Sequence, residues 1–438
     1  IDLLLTHRGA LEDAMCADFG WRSKDQSTMT DISSSVSALR YARKHLAKWM
    51  RPEKRAVEFP LGLLGARAAV RFQPKGVVGL ISPWNFPVNL TFAPLAGIFA
   101  AGNRAMIKPS EFTEQTSALM ADLFSRYYSE DEVAVVTGSA EVGSAFSSLP
   151  FDHMIFTGAT SIAHHIMRAA AENLVPLTLE LGGKSPVLIG SSADLQKAAL
   201  RIMNVKTLNC GQICLAPDYA LMSEEQVGEF VEHAKKAVAD MFPSGMRDNE
   251  DYTSVVNQRH FERLNGYLQD AKEKGGEVIE INPSSEDFST QDHHRMPPYL
   301  VLNASDDMKV MQDEIFGPIF PVKTCKDIGQ AIDYVNAHPR PLGLYYFGED
   351  KAEQERVLNF TTSGGVTLND VFHHVGQENL PFGGVGASGM GAYHGHDGFL
   401  EFSHSRAVYT QVKGDLLAVI RPPYGDKFRQ FFNKRLKK

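Results

Sequence analysis

From Gly76 onward the chain alternates short, almost continuously apolar runs with stretches of helical periodicity, and this alternation constrains the fold more than any other feature of the sequence. Val77-Val78-Gly79-Leu80-Ile81 is followed by a helix-like stretch after Pro87, and Ala105-Met106-Ile107 by one carrying Leu119, Leu123 and Tyr127. Val133 to Val136 and His153 to Phe156 continue the pattern. Strands buried on both faces lose the apolar-polar alternation of a half-exposed sheet, so the pattern predicts a parallel sheet covered by helices on both sides. It resumes after Gly182-Gly183. Helices are expected over 194–207, 225–241 and around Phe261 to Ala271, and strands at 219–222, 299–302, 320–322, 344–346 and 365–368. The fold class is therefore α/β, with two doubly wound units. A chain of 438 residues leaves room for a third, smaller element at about 150 residues per domain. Ala56 to Phe72 reads as a two-strand excursion turning at Gly62 or Gly65, and the tail beyond Val408 shows no core of its own, so both are expected to bridge subunits.

Charge and cysteine content narrow the partners. Lys and Arg number 44 against 52 Asp and Glu, a net charge of −8, so no general cationic field exists to draw in nucleic acid. The basic end Lys434-Arg435-Leu436-Lys437-Lys438 reads as a solvated run. Four cysteines cannot staple so long a chain and point to a reducing, cytoplasmic compartment. The sequence opens at Ile1, with neither Met nor a leader-like pattern at its start. Gly76 to Gly102 carries no charge and is long enough to span a bilayer, but Pro83, Pro87 and Pro94 interrupt it, so strand, turn and helix are expected and no membrane partner. Nearer the N-terminus, Ile32, Val36, Leu39, Leu46 and Trp49 predict an amphipathic helix with Asp31 as its N-cap.

Several short blocks carry chemistry. Asn209-Cys210-Gly211-Gln212-Ile213-Cys214 offers a nucleophilic thiol or, equally, two buried thiols four apart on a helix face. The pairs His164-His165, His293-His294 and His373-His374 lack a Cys-x-x-Cys partner, so no metal site is expected. Glu180 ends an apolar strand ahead of two glycines, where desolvation would lift its pKa towards that of a useful base, unless it merely pairs with a nearby Lys. Pro83-Trp84-Asn85-Phe86-Pro87 fixes a turn that frees the Asn85 amide for a developing oxyanion, or one that Asn85 merely stabilises. Phe156-Thr157-Gly158-Ala159-Thr160 lies between strand and helix, where backbone N–H groups can meet a pyrophosphate. Lys108-Pro109-Ser110-Glu111 follows a strand and sets a cation and a carboxylate where ribose hydroxyls could be held.

Taken in order, these blocks resemble the aldehyde dehydrogenase superfamily. The matching segments are P-W-N-F-P at 83–87, K-P-S-E at 108–111, F-T-G-A-T at 156–160, L-E-L-G-G-K-S-P at 179–186, G-Q-I-C at 211–214, E-I-F-G-P at 314–318 and P-F-G-G-V-G at 381–386. G-M-G-A-Y-H-G at 389–395, F-S-H at 402–404 and R-P-P-Y at 421–424 resemble the class 3 branch, and within it the bacterial coniferyl aldehyde dehydrogenases.

The resemblance implies an NAD(P)-dependent oxidation of an aldehyde to its acid, the aldehyde being aromatic or of medium chain length. It makes Cys214, not Cys210, the nucleophile, with the oxyanion held by Asn85 and the Cys214 backbone N–H, and Glu180 the base that activates water against the thioester. Cofactor contacts fall to Trp84, Lys108, Ser110, Glu111, Phe156, Thr157, Gly158, Thr160, Leu181, Gly182, Glu314 and Phe316. Glu111 would repel a 2′-phosphate, favouring NAD while leaving NADP possible. The implied organisation is a Rossmann-like cofactor domain at 1–56 and 74–181, a catalytic domain at 182–388, and bridging segments at 57–73 and 389–438, assembled as a homodimer. One position departs from the family pattern: the phosphate turn ends on Ala163 where G-x-T-x-x-G has Gly. Two rival readings are a CoA-acylating enzyme of the same fold, against which Glu180 argues, and a homologue that has kept the fold and lost the activity.

Overall fold

The computed structural model describes residues 1–438 except 292, 416, 417, 419, 437 and 438, so the last two lysines of the basic end lie outside the described residues. In chain order the strands are β1 (Glu53–Arg55), β2 (Arg67–Pro74), β3 (Val77–Ile81), β4 (Arg104–Lys108), β5 (Val133–Val135), β6 (His153–Thr157), β7 (Leu177–Glu180) and β8 (Ser185–Ile189). They continue with β9 (Pro217–Met222), β10 (Glu277–Glu280), β11 (Tyr299–Leu302), β12 (Ile319–Thr324), β13 (Gly343–Phe347), β14 (Gly365–Leu368), β15 (Gly389–Met390) and β16 (Ser403–Thr410).

Three sheets result. The first runs β15-β7-β6-β3-β4-β5 and is parallel except for the short edge strand β15. The chain moves outward from β3 through β4 to β5, then returns to the other side of β3 for β6 and β7. Strand order therefore reverses between β3 and β6, and a crevice opens beyond their C-terminal ends, Ile81 and Thr157. The second sheet runs β10-β11-β12-β9-β8-β13-β14, with only the β10-β11 pair antiparallel. Every residue of β6, β8, β9 and β13 is buried, which favours the apolar runs by which β6, β9 and β13 are expected; β8 is not among the expected strands.

The small third sheet, β1-β2-β16, is antiparallel, with an eight-residue register from Arg67 opposite Thr410 to Pro74 opposite Ser403. The two-strand excursion expected over 56–72 is displaced: its strands are 53–55 and 67–74, and residues 59–65 form turns between them. Two short strands also cross the expected unit limits, since β1 joins the small sheet and β15 pairs with β7 in the first. Gly389 can do so because it has no side chain: a Cβ there would overlap the Leu179 carbonyl.

The uncharged stretch 76–102 becomes β3, a turn and the helix Asn89–Ala100. No described helix is long and apolar enough to cross a membrane. The amphipathic helix near the N-terminus is Ser34–Trp49, but Asp31 does not cap it. Asp31 lies inside a π-helical turn, Thr28–Ser33, that leads into the helix, and its side chain is fully buried.

Candidate active site

Two cavities meet at one sulfur. The helix Leu195–Thr207 stops at a tight turn in which Asn209, Cys210 and Gly211 adopt left-handed backbone, with φ of 48°, 53° and 69°. This turn separates the two cysteines that a continuous helix would have placed on one face. Cys210 points into the core beside the Tyr252 hydroxyl, 3.9 Å away. Cys214 lies further along the loop, just before β9, and borders both cavities. Gln212 pins the loop between them: its amide N–H groups reach the Asn209 and Ser254 carbonyls at 2.9 and 3.0 Å, and its oxygen accepts from the Val256 N–H at 2.9 Å.

The first cavity, about 200 Å³, is the crevice at the strand-order reversal. Trp84 and Asn85 reach it from the turn after β3, and Thr157 and Gly158 from the turn after β6. Glu180, Leu181 and Gly182 enter from the end of β7, with Glu314 and Phe316 from the loop before β12. Ten of the fifteen residues expected at the site, Cys214 included, are thus assembled on one wall system. Thr160 borders an adjoining cavity that shares Gly182 and Glu314. Phe156 is in the core under Gly158, where a Cβ on the glycine would overlap its ring. Lys108, Ser110 and Glu111 do not line the crevice. They follow β4, the strand next to β3, and the buried Lys108 ammonium donates to Glu111 at 3.2 Å and to the Pro109 carbonyl at 3.0 Å.

Electrostatics tune the two central groups. Glu180 is 3% exposed, neither carboxyl oxygen has a hydrogen-bond partner among the described residues, and burial reinforced by the charge of Glu401 raises its pKa well above the usual range. Among the described residues no Lys pairs with it. Burial, with Glu314 and Glu180 adding negative charge, pushes the Cys214 thiol up to about 12. Backbone N–H groups of Cys214 and Leu215 act in the opposite direction, favouring the thiolate. The thiol is therefore neutral at rest and needs a base within the same cavity. Asn85 directs Nδ2 at the Gln212 carbonyl, 3.2 Å away, and because an amide nitrogen carries two hydrogens one donor remains.

A network not visible in the sequence holds the Asn85 turn. The Arg22 guanidinium donates to the Asn85 carbonyl at 2.7 Å, to Ser27 Oγ at 3.2 Å and to Asp31 Oδ2 at 2.6 Å, and both charges are fully buried. Asp31 Oδ1 accepts the backbone N–H groups of Val88 and Asn89, both at 3.1 Å, so this carboxylate serves the start of the helix Asn89–Ala100 rather than its own helix. Two more crevice residues escaped the sequence reading. His260 stands 5.2 Å from the Trp84 ring, and Arg263 donates to the Ile315 carbonyl at 2.8 Å and holds the loop in which Phe316 takes φ 48°. Both belong to the helix Gln258–Glu273, whose periodicity announces packing alone.

The second cavity, about 290 Å³, lies on the other side of Cys214. Phe86, Leu90, Ile213, Phe372 and Phe382 give it apolar walls, and the exposed Met29, Ser33, Ser34 and Ser37 mark its mouth. No group of three or more His, Cys, Asp or Glu among the described residues is placed to hold a metal ion.

With this geometry in view, comparison with known proteins is decisive. A model of the aldehyde dehydrogenase family matches residues 1–408. The chain belongs to the aldehyde dehydrogenase family. A probable coniferyl aldehyde dehydrogenase of Caulobacter vibrioides is 60% identical over 441 residues, covering 100% of this chain and 91% of the relative. The coniferyl aldehyde dehydrogenase of a Pseudomonas species is 56% identical, with 97% and 88% covered. Mouse aldehyde dehydrogenase family 3 member A2 is 41% identical over 358 residues, with 81% and 72% covered, so the class 3 likeness holds. Among solved structures, the substrate-bound state of Staphylococcus aureus AldH superimposes with a TM-score of 0.92 at 34% identity, covering 99% of this chain and 92% of that one. As a member of this family the dehydrogenase is an NAD(P)-dependent oxidoreductase.

The crevice and the adjoining cavity that shares Gly182 and Glu314 are lined by groups suited to a dinucleotide. Gly158 and Gly182 leave space that a Cβ could not share with the Phe156 ring or the Glu314 carboxylate, and Thr157 Oγ1 is buried without a partner. Ala163, the departure from the family pattern, is buried in the helix Thr160–Ala171 and does not border the crevice.

Proposed function

We propose that this dehydrogenase oxidises an aromatic aldehyde of the coniferyl type to its carboxylic acid, with Cys214 as nucleophile and NAD, or alternatively NADP, as oxidant. The observation that carries the reading is the position of Cys214 between a glycine-lined crevice containing Glu180 and Asn85 and a separate apolar cavity.

In this mechanism Glu180, whose raised pKa makes it a willing proton acceptor once ionised, takes the Cys214 proton. The sulfur adds to the aldehyde carbon, and the oxyanion is met by the free Asn85 N–H and the Cys214 backbone N–H. When bound, the nicotinamide supplies the hydride acceptor that converts the adduct to a thioester. Glu180 releases that first proton to solvent and, ionised again, removes a proton from water; the hydroxide carbon–oxygen bond forms as the carbon–sulfur bond breaks, the acid leaves, and the Cys214 thiolate regains its proton from Glu180. A CoA-acylating enzyme has no use for this last step, and a buried, unpartnered Glu180 beside the thiol favours hydrolysis. Trp84, Thr157, Gly158, Leu181, Gly182, Glu314 and Phe316 would hold the cofactor from the crevice, Phe156 would support Gly158 from below, and Thr160, Lys108, Ser110 and Glu111 would extend the site outward.

The accompanying organisation is a cofactor domain at 1–56 and 74–181, a catalytic domain at 182–388 and bridging segments at 57–73 and 389–438, the two crossing strands aside. We further propose a cytoplasmic homodimer joined through the exposed small sheet. The test is a panel of aromatic, medium-chain and charged aldehydes assayed for reduced nicotinamide with each cofactor. Coniferyl-type aldehydes are expected to give the highest kcat/KM, and a clear preference for a charged semialdehyde would overturn the substrate assignment.

A further inference from the structure

The cavity on the far side of Cys214 carries two polar groups that the reaction does not use. Glu378 borders it, half-buried, and its carboxylate makes no hydrogen bond or ion pair among the described residues. Burial alone raises it to about 7. His394 borders the same cavity, is only 8% exposed, and keeps Nδ1 without a partner. Its ring stands 4.8 Å from the Phe382 ring and 4.7 Å from that of Tyr393, so it is held in place by packing rather than by hydrogen bonds. Burial lowers it to about 4, which leaves a neutral imidazole with one donor and one acceptor.

Polar atoms withdrawn from water without partners carry a free-energy cost that a ligand group can relieve. The remaining walls near them, Phe372 and Phe382 among others, are aromatic and suit a ring. At about 290 Å³ the space lies just below the roughly 300–1,000 Å³ range of drug-sized pockets, appropriate to a single-ring molecule.

We propose that Glu378 and His394 form a polar subsite that binds the ring hydroxyl of a phenolic aldehyde while its carbonyl carbon lies at Cys214. This deepens the proposed function and rests on it. Glu378 accepts the phenol O–H as a carboxylate, and His394 supplies the complementary donor or acceptor to the phenolic oxygen or to an adjacent ring substituent. The subsite selects among aromatic aldehydes and takes no part in bond making.

The experiment measures kcat/KM for para-hydroxycinnamaldehyde and for cinnamaldehyde, which differ only in the ring hydroxyl, on the full chain with NAD. Taking the ratio within each protein cancels any loss of folded enzyme. Wild type is expected to favour the hydroxylated aldehyde by roughly 10- to 100-fold, the range for a hydrogen bond to a charged group. Glu378→Leu should bring the ratio towards one, mainly through KM. Glu378→Gln, which keeps hydrogen-bonding atoms and disturbs folding least, should fall between them. A wild type without preference, or variants that keep the wild-type ratio, overturn the subsite alone. Failure of the wild type to oxidise either aldehyde overturns the reading of the active site, and the subsite with it.

Discussion

The two cavities flanking Cys214 are built from different materials. The crevice towards β3 and β6 is made mainly of turns, with glycines, backbone groups and carboxylates brought together from six separate segments, one of them the helix that carries His260 and Arg263, whereas the opposite cavity is a set of aromatic and aliphatic side chains around a polar corner. The first depends on backbone geometry and tolerates little change. The second depends on side-chain identity and can be reshaped by substitution. Catalysis should therefore be sensitive to one side, and substrate choice to the other.

The largest effect should come from the shared sulfur. Cys214→Ala is expected to remove activity by on the order of 10⁶-fold, as for loss of a covalent nucleophile, and Cys210→Ala to leave kcat nearly intact while lowering stability by roughly 1–3 kcal/mol. Thermal melts with turnover assays separate the two, and the reverse pattern would exchange their roles. Next is Glu180→Gln. One equivalent of reduced cofactor should appear rapidly, followed by steady turnover about 10²- to 10⁴-fold slower. Because the raised pKa of Glu180 leaves it protonated at low pH and the base must be ionised, wild-type deacylation should accelerate as pH rises, and the Gln variant should lose that dependence. Asn85→Ala should lower kcat by about 10²- to 10³-fold with a smaller change in KM, the signature of a donor acting in the transition state. Asp31→Asn leaves the Arg22 charge buried without its counter-ion, which should cost about 3–5 kcal/mol of stability and lower kcat through the Asn85 turn. An unchanged melting temperature would show that the pair holds nothing.

Legibility in the sequence followed burial. Most strands of the two large sheets stood out because burial on two faces demands continuous apolar runs; β8, β10 and β15 did not, β10 being half-exposed with a glutamate at each end and β15 only two residues long. Catalytic chemistry was harder, since Cys210 and Cys214 are equivalent by composition and spacing; the family blocks alone favour Cys214, and the left-handed turn at 209–211 places Cys210 in the core and Cys214 at the crevice. Asp31 shows the opposite case. It occupies a position that any capping rule would select, yet tertiary structure recruits its carboxylate to a helix more than fifty residues away. Arg263 and His260 were hidden for a related reason: an amphipathic helix gives no sign in its periodicity of which polar residue faces a cavity.

The exposed mouth formed by Met29, Ser33, Ser34 and Ser37 opens on the side of the sulfur away from the nucleotide crevice. On the proposed reading the two reactants use separate doors, and neither has to vacate the protein for the other to enter. An electrophilic inhibitor shaped for the aromatic door should compete with the aldehyde and not with the dinucleotide, reaching the thiol even while the crevice is filled.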